Sequence, residues 1–413
     1  MTEGAATTVG RRAGFGFIFA LALMNSISFG IMIPILPNLI REMTGGDTAA
    51  ASEWNVVFAS TWGVMQFFFG PLLGMFSDRY GRRPVLLLSL LGLGIDFLFM
   101  AFAPTLWWLL LGRVLNGATA ASFSTANAYL ADVTPPDQRA KVFGWMGSAF
   151  SFGFIIGPTI GGLLGEYDLR LPFLAAAGLT FANFLYGLFV LPESLPPERR
   201  ATAFDWTRAN PLGALRLLRS KLGLLPLAGV GFLFQIAHMV LPTIFVLYTT
   251  HRYGWTPGFL GVTFFLTGVL GVIVQVLLVG PTVARIGERR TLLIGLAAGA
   301  LGFAWYATAP LGWVYLLGTP IFALSGFIMP GLQGLMTRRV EPQEQGQLQG
   351  ANQSLTGIAS VAGPPLFGLV YAWSLRHGAA EGLAIYIAGG LLVLGLGLAA
   401  AAARAPEPQA RPA

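Results

Sequence analysis

Stretches of about 20 apolar residues recur along this chain between short polar loops, and a helix of that length is what crossing a bilayer requires. They fall near 14–38, 54–75, 84–103, 105–130, 142–164 and 171–191. They resume near 223–248, 257–280, 290–309, 311–336, 348–372 and 381–402. Of the 413 residues, 55% are hydrophobic and only 10% charged, and the mean hydropathy is +0.68. A soluble core cannot absorb so large an apolar excess, whereas a lipid-facing surface can. The chain therefore reads as an all-α integral membrane protein with twelve transmembrane helices. The first stretch is a full span with no small-residue cleavage site after a short core, so no cleavable signal peptide is expected. The absence of cysteine excludes a disulfide framework and Cys-ligated metal sites.

The formal charge of +7 raises the question of nucleic acid, but the basic residues sit in short loops between apolar stretches. Alternate loops carry Arg11 and Arg12; Arg79, Arg82 and Arg83; Arg139 and Lys141; and Arg199, Arg200, Arg208, Arg216, Arg219 and Lys221. The series continues with Arg285, Arg289 and Arg290, then Arg338 and Arg339, then Arg404 and Arg411. The opposite loops hold only Arg41, Arg170, Arg252 and Arg376. Such a bias marks the cytoplasmic side, so both termini are expected there, and a nucleic-acid partner is not.

The longest polar connection, 192–221, divides the spans six and six. The expected organisation is a bundle over 1–191, a cytoplasmic linker over 192–221, and a second bundle over 222–413 with a short cytoplasmic tail. The halves echo one another. Gly74 and Gly81 enclose six residues, as Gly280 and Gly287 do in the second half. VTPPDQRA at 133–140 is echoed by VEPQEQGQ at 340–347, and Gly157-Pro158 by Gly363-Pro364. Parallel repeats of this kind are a transporter feature.

The segment GMFSDRYGRR at 74–83 resembles the signature between the second and third helices of the major facilitator superfamily. Its glycines permit a tight turn, Asp78 can accept from arginine or a helix N-terminus, and Arg82 and Arg83 anchor the cytoplasmic face. A plain positive-inside turn is the simpler account. In the fifth span Gly153, Gly157, Pro158, Gly161 and Gly162 resemble the Gly-Pro-x-x-Gly-Gly element of the exporter branch, where small residues allow close helix approach. Ordinary glycine packing would leave the same trace. The stretch from 111 to 162 is similar to the tetracycline-exporter subgroup of drug–proton antiporters, as is GQLQGANQSLT in the second half. The resemblance implies two pseudo-symmetric six-helix bundles, a bacterial cytoplasmic (inner) membrane location and monomeric action. It also implies alternating access driven by the proton gradient. The implied gate comprises Gly74, Ser77, Asp78, Arg79, Gly81, Arg82 and Asp132 together with the fifth-span residues.

Ionisable groups inside spans are costly and mark candidate sites. Arg113 is the basic residue within the fourth span, and the resemblance links its counterpart to proton coupling. Asp96, in the third span, is a candidate proton carrier, or else the permanent partner of Arg113. His238 in the seventh span is a third candidate, with a neutral, hydrogen-bonded histidine as the alternative. Asn25, Gly271 and Gly299 stand where the tetracycline exporters carry an aspartate, a histidine and an aspartate, which puts tetracycline itself in doubt. The substrate is expected midway between the halves, near Asn25, Gln66, Gln235, His238 and Gln275. Asn116, Asn127, Asn352 and Gln353 are further lining candidates.

No Gly-x-x-x-x-Gly-Lys-Ser/Thr loop, His-x-x-x-His pair or Gly-x-Ser-x-Gly elbow occurs. No enzyme, cofactor or metal is therefore expected. The partners expected are protons, the bilayer and a small amphipathic molecule or drug. A carrier or flippase for a lipid or native metabolite is the main rival, and a non-transporting sensor or scaffold a weaker one.

Overall fold

The computed structural model describes residues 3–120, 122–135, 138–201, 218, 223–341 and 344–402. The expectations for Arg208, Arg216, Arg219, Lys221, Arg404 and Arg411 lie outside them, as do most of the central linker and the tail.

Among the described residues every regular element is helical. The first sequence half supplies α1 (Glu3–Met32), α2 (Leu36–Met43), α3 (Thr48–Tyr80), α4 (Arg82–Phe102), α5 (Leu106–Thr119), α6 (Ser122–Val133), α7 (Arg139–Gly165) and α8 (Leu171–Val190). The second supplies α9 (Leu224–His238), α10 (Val240–Tyr253), α11 (Pro257–Ile273), a π-helical turn (Val274–Leu278) and α12 (Val279–Thr308). It continues with α13 (Gly312–Leu317), α14 (Thr319–Ala323), a 3₁₀ turn (Leu324–Phe327), α15 (Ile328–Thr337), α16 (Gln345–Arg376) and α17 (Leu383–Ala402).

Among the described residues, ten stretches are long and apolar enough to cross a membrane. Two features reconcile ten with twelve. The stretch Pro257–Thr308 is 52 residues long, far more than one crossing needs, and it contains a break at Gly287 (φ 78, ψ 165). The fourth span is interrupted after α5, so neither α5 nor α6 alone reaches spanning length. Gly81, between α3 and α4, adopts the same unusual backbone as Gly287 (φ 111, ψ 162). Positive φ at both places is open to glycine and strained for other residues. The two halves thus turn the chain by one device at matching positions of the repeat.

Proline sets other breaks. Pro34 separates α1 from α2, and Asn38 Nδ2 donates to the Pro34 carbonyl at 3.2 Å. Pro242 has no N–H to offer the carbonyl four residues earlier, so the seventh span breaks between His238 and Val240. There Met239 N–H instead donates to Ile236 O at 3.0 Å, tightening the last turn of α9.

The chain forms two compact units. Unit 1 takes residues up to 46, 57–209 and 255–265. Unit 2 takes 47–56, 210–254 and those from 266 onward. In unit 1, α7 lies against α1 through glycine. A Cβ at Gly157 would come 2.6 Å from Ile27 O and 2.8 Å from Gly30 Cα, so nothing larger than hydrogen fits there. Ile18, Leu86, Tyr129 and Met146 form part of a buried apolar cluster in the same unit. In unit 2 the first turns of α3 are held by buried hydrogen bonds. Ser52 Oγ donates to Gly368 O and Asn55 Nδ2 to Thr243 O, both at 2.8 Å.

Close packing, not hydrophobic exclusion, holds helices together in lipid. Gly157→Leu is therefore expected to lower stability by about 1–3 kcal/mol through overpacking. Gly147→Ala, on the same helix with nothing within 4 Å of its would-be Cβ, should be neutral. Thermal melting of the purified protein in detergent compares the two; an equal effect would contradict the packing account.

Candidate functional site

The turn between α3 and α4 is built by carboxylates. Arg82 Nη1 pairs with Asp78 and donates to Ser77 Oγ at 3.1 Å, while Arg82 Nε donates to Asp132 Oδ2 on α6 at 3.1 Å. Glu193, just beyond α8, caps the start of α4: its carboxylate accepts from Arg82 N at 2.8 Å and Arg83 N at 3.2 Å. A Cβ at Gly81 would collide with that carboxylate, so glycine serves both the turn and the cap. Ser194 Oγ also donates to Asp132 Oδ2, at 3.2 Å. Arg79 lies over the Tyr80 ring, and a Cβ at Gly74 would meet nothing within 4 Å.

Sequence reasoning named Ser77, Asp78, Arg82 and Asp132, and the structure brings these four together. It missed Glu193. The signal was an acidic residue in LPESL just beyond the last span of its half, and the open N–H groups at a helix start supply the missing reason.

The second half answers with reversed charge. Glu288 follows Gly287 as Arg82 follows Gly81, and it pairs with Arg338 at the end of α15. The basic and acidic partners have exchanged positions between the repeats. Gly153, Gly157 and Gly161 face α1, and Gly162 faces Gly261 within unit 1. Pro158 is inside α7 and touches the same seam.

Asp96 on α4 and Arg113 on α5 form a buried ion pair through Oδ2 and Nη2. Asp96 is 0% and Arg113 6% exposed. The pair is single-pronged: Asp96 Oδ1 and Arg113 Nε are buried without a hydrogen-bond partner among the described residues. Gly112 makes the approach possible, since a Cβ there would sit 3.1 Å from Phe99 Cβ and closer still to Asp96. Met100 Sδ lies 3.9 Å from the guanidinium. Nearby on α5, Asn116 Oδ1 accepts from Trp62 Nε1 at 2.7 Å.

The remaining polar candidates separate by unit. Asn25 on α1, Gln66 on α3 and Asn127 on α6 are half-buried in unit 1. In unit 2, Gln235 and Asn352 line one cleft together with Gln333 and Thr356, which sequence reasoning missed. Gln235 Nε2 donates to Thr356 Oγ1 at 2.9 Å, and Gln349 Nε2 donates to Gln333 Oε1 at 3.3 Å. Thr356 was legible in principle, being one helical turn from Asn352. Gln333 was hidden in an apolar stretch. Gln353 is exposed and outside this cleft, and Gln275 is exposed in the π-helical turn.

His238 closes α9 and stacks on Phe322 (6.2 Å, 10°) beside Phe234. Its Nδ1 is buried and takes no hydrogen bond among the described residues, so the histidine is held by aromatic packing at that nitrogen. Gly299 is a packing position: a Cβ there would lie 2.8 Å from Leu392 Cδ1 and 3.2 Å from Ser325 Cβ. Gly271 is exposed and faces open space.

Known proteins share this architecture and sequence. The family model for the Major Facilitator Superfamily matches residues 18–364 and 227–413. The chain is 38% identical to the class C tetracycline resistance protein of Escherichia coli, over 91% of this chain and 93% of that one. It is 27% identical to multidrug resistance protein 2 of Bacillus subtilis, over 92% and 93%. Among solved structures, the nucleoside transporter NupG superposes with a TM-score of 0.75 at 16% identity, over 95% of this chain and 99% of that one. The chain belongs to the major facilitator superfamily: it is a multi-pass membrane transporter, not an enzyme, and is homologous to tetracycline and multidrug resistance proteins.

Proposed function

We propose that this protein is a proton-coupled exporter of an amphipathic small molecule, working by alternating access as a monomer in the bacterial inner membrane. The observation that carries the proposal is the Asp96–Arg113 pair. A buried charge pair that contributed only packing would be expected to satisfy all its polar atoms, because each unsatisfied one costs about 1–3 kcal/mol. Here each partner keeps one bare polar atom. A proton arriving at Asp96 would release Arg113 and change the contact between α4 and α5. His238 is the second candidate carrier.

Six-helix halves at 1–191 and 222–413, joined by a cytoplasmic linker and with both termini cytoplasmic, complete the proposed organisation. The loop around Asp78, Arg82 and Asp132 would hold the cytoplasmic ends of its bundle, with Glu193 as a cap. The glycine seam of α7 would let that helix shift against α1. Substrate contacts would come from Asn25, Gln66 and Asn127 in unit 1 and from Gln235, Gln275, Asn352 and Gln353 in unit 2. The names of the relatives point to drugs. The neutral Asn25, the open Gly271 and the packed Gly299 favour a second reading, a carrier for a lipid or native metabolite instead of tetracycline.

Everted vesicles containing the protein, energised and followed with a pH-sensitive dye, test the first reading. Addition of tetracycline with magnesium, or of planar cationic drugs, should release protons from vesicles with wild-type protein and not from vesicles with Asp96→Asn. Full activity in Asp96→Asn would remove this residue from the mechanism. No response to any drug, with turnover stimulated by lipid, would favour the second reading.

The reversed ion pairs generate another prediction. Arg82→Glu should cut transport on the order of tenfold, a loss equivalent to about 1.4 kcal/mol, because it sets a third carboxylate against those of Asp132 and Asp78. Adding Asp132→Arg should restore part of the activity. An equal loss in the double variant would mean that Arg82 acts through Asp78 alone.

A further inference from the structure

On the outer surface of unit 1 the ends of α4 and α5 leave a cavity of about 460 Å³, open on one side. Its size falls in the range of about 300–1,000 Å³ usual for small-molecule sites. Every lining residue is apolar, and Phe99 stacks on Trp108 (5.5 Å, 27°) to form one wall. The lining residues Phe102 and Trp108 are 69% and 47% exposed. Side chains this large and this exposed face hydrocarbon in a membrane protein, and tryptophan marks the boundary with the headgroups. The opening therefore meets lipid, not water.

One charge stands at the end of this groove. Arg170, at the start of α8, donates from Nη1 to Ala101 O at 2.9 Å, beside the lining residues Phe102 and Ala103. This contact closes the C-terminal end of α4, where a cation is favoured by the exposed carbonyls. It uses one of the five guanidinium donors. The neighbouring carboxylate, Asp168, accepts from the backbone N–H of Arg170 at 2.6 Å. A cation with donors to spare, above an apolar slot with an aromatic wall, matches the two ends of a phospholipid.

The geometry points to a lipid site: the α4–α5 groove takes one acyl chain of an anionic phospholipid from the leaflet at the Ala103–Thr105 turn, with its phosphate on Arg170. The site has a second consequence. Phe99 touches Gly112, the residue against which Asp96 also packs, so the bound chain presses on the covering layer of the ion pair. Lipid composition would then act on the α4–α5 contact. The site stands independently of which molecule is exported.

The test uses the full chain reconstituted in vesicles of phosphatidylcholine, with or without phosphatidylglycerol. One lipid at a time carries a photoactivatable acyl chain, and the labelled peptides are mapped. Labelling should concentrate in 95–108 and be stronger with phosphatidylglycerol. Arg170→Gln should weaken the phosphatidylglycerol labelling about tenfold, the equivalent of one lost charge-assisted hydrogen bond. Leu98→Trp, which fills the groove from its exposed wall, should abolish labelling by either lipid at this place. Thermal melting of both variants controls for folding. Labelling spread evenly over exposed helices, such as those of Phe189 and Val276, would overturn the proposal. So would equal labelling by the two lipids, or displacement of both by a transported drug, which would make the groove a substrate site.

Discussion

Inside hydrocarbon, a backbone N–H or C=O that leaves its helix finds no water to replace the lost bond. Every departure from helix in this chain must therefore be repaired locally or placed at a membrane boundary. After Gly81 the N–H groups of Arg82 and Arg83, which open α4, both meet the Glu193 carboxylate, and the next residue, Pro84, has no N–H to satisfy. At Met239 the break caused by Pro242 is answered by a tighter turn and by Thr243 Oγ1, which donates to Met239 O at 2.6 Å. At Ala101 the carbonyl left open at the end of α4 receives Arg170. Glu193, Thr243 and Arg170 are accounted for by this single requirement.

The same requirement explains why the repeat conserves geometry more strictly than charge. Gly81 and Gly287 share a backbone conformation closed to other residues, because both must turn the chain abruptly between two spans. The ion pairs beside them need only opposite signs, since an attraction is unchanged when the partners trade places. Arg82 with Asp132 and Glu288 with Arg338 are the two solutions. A mixed arrangement, reversed in one partner alone, would set like charges together.

The fold class was legible in the sequence because a membrane span is the longest apolar signal a chain can carry, and the charge of the loops requires no knowledge of packing. The glycine echoes were legible for the same reason: spacing survives where side chains vary. The fourth span shows the limit, since its apolar run at 105–130 continues through a break that only coordinates reveal. The cap by Glu193 was not legible. It depends on a residue 111 positions from Arg82 being folded back onto the same turn. Asp96 and Arg113 were singled out as the buried charges, but their single-pronged contact depends on ring positions at Phe99 and on the bare Cα of Gly112. In unit 2, Gln235 and Asn352 were named separately, and their shared cleft with Gln333 and Thr356 emerges from three packed helices, not from any one segment.

Gly271 and Gly299 look alike in sequence, yet they constrain function in opposite ways. Around Gly271 there is open space, so an ionisable side chain there would displace nothing. Gly299 lies where α12 closes on Ser325 and on Leu392 of α17, and a longer side chain would have to push these apart. Interiors resist added volume, typically at about 1–3 kcal/mol for an overpacked group. Burying a carboxylate among apolar neighbours would add a desolvation cost to that strain. The neutral character of the position at Gly299 is thus built into the packing of unit 2, whereas that at Gly271 is a property of one side chain. Under the proposed proton coupling, the chemistry would fall to ionisable groups elsewhere, and the buried pair on α4 and α5 is the candidate for it in unit 1.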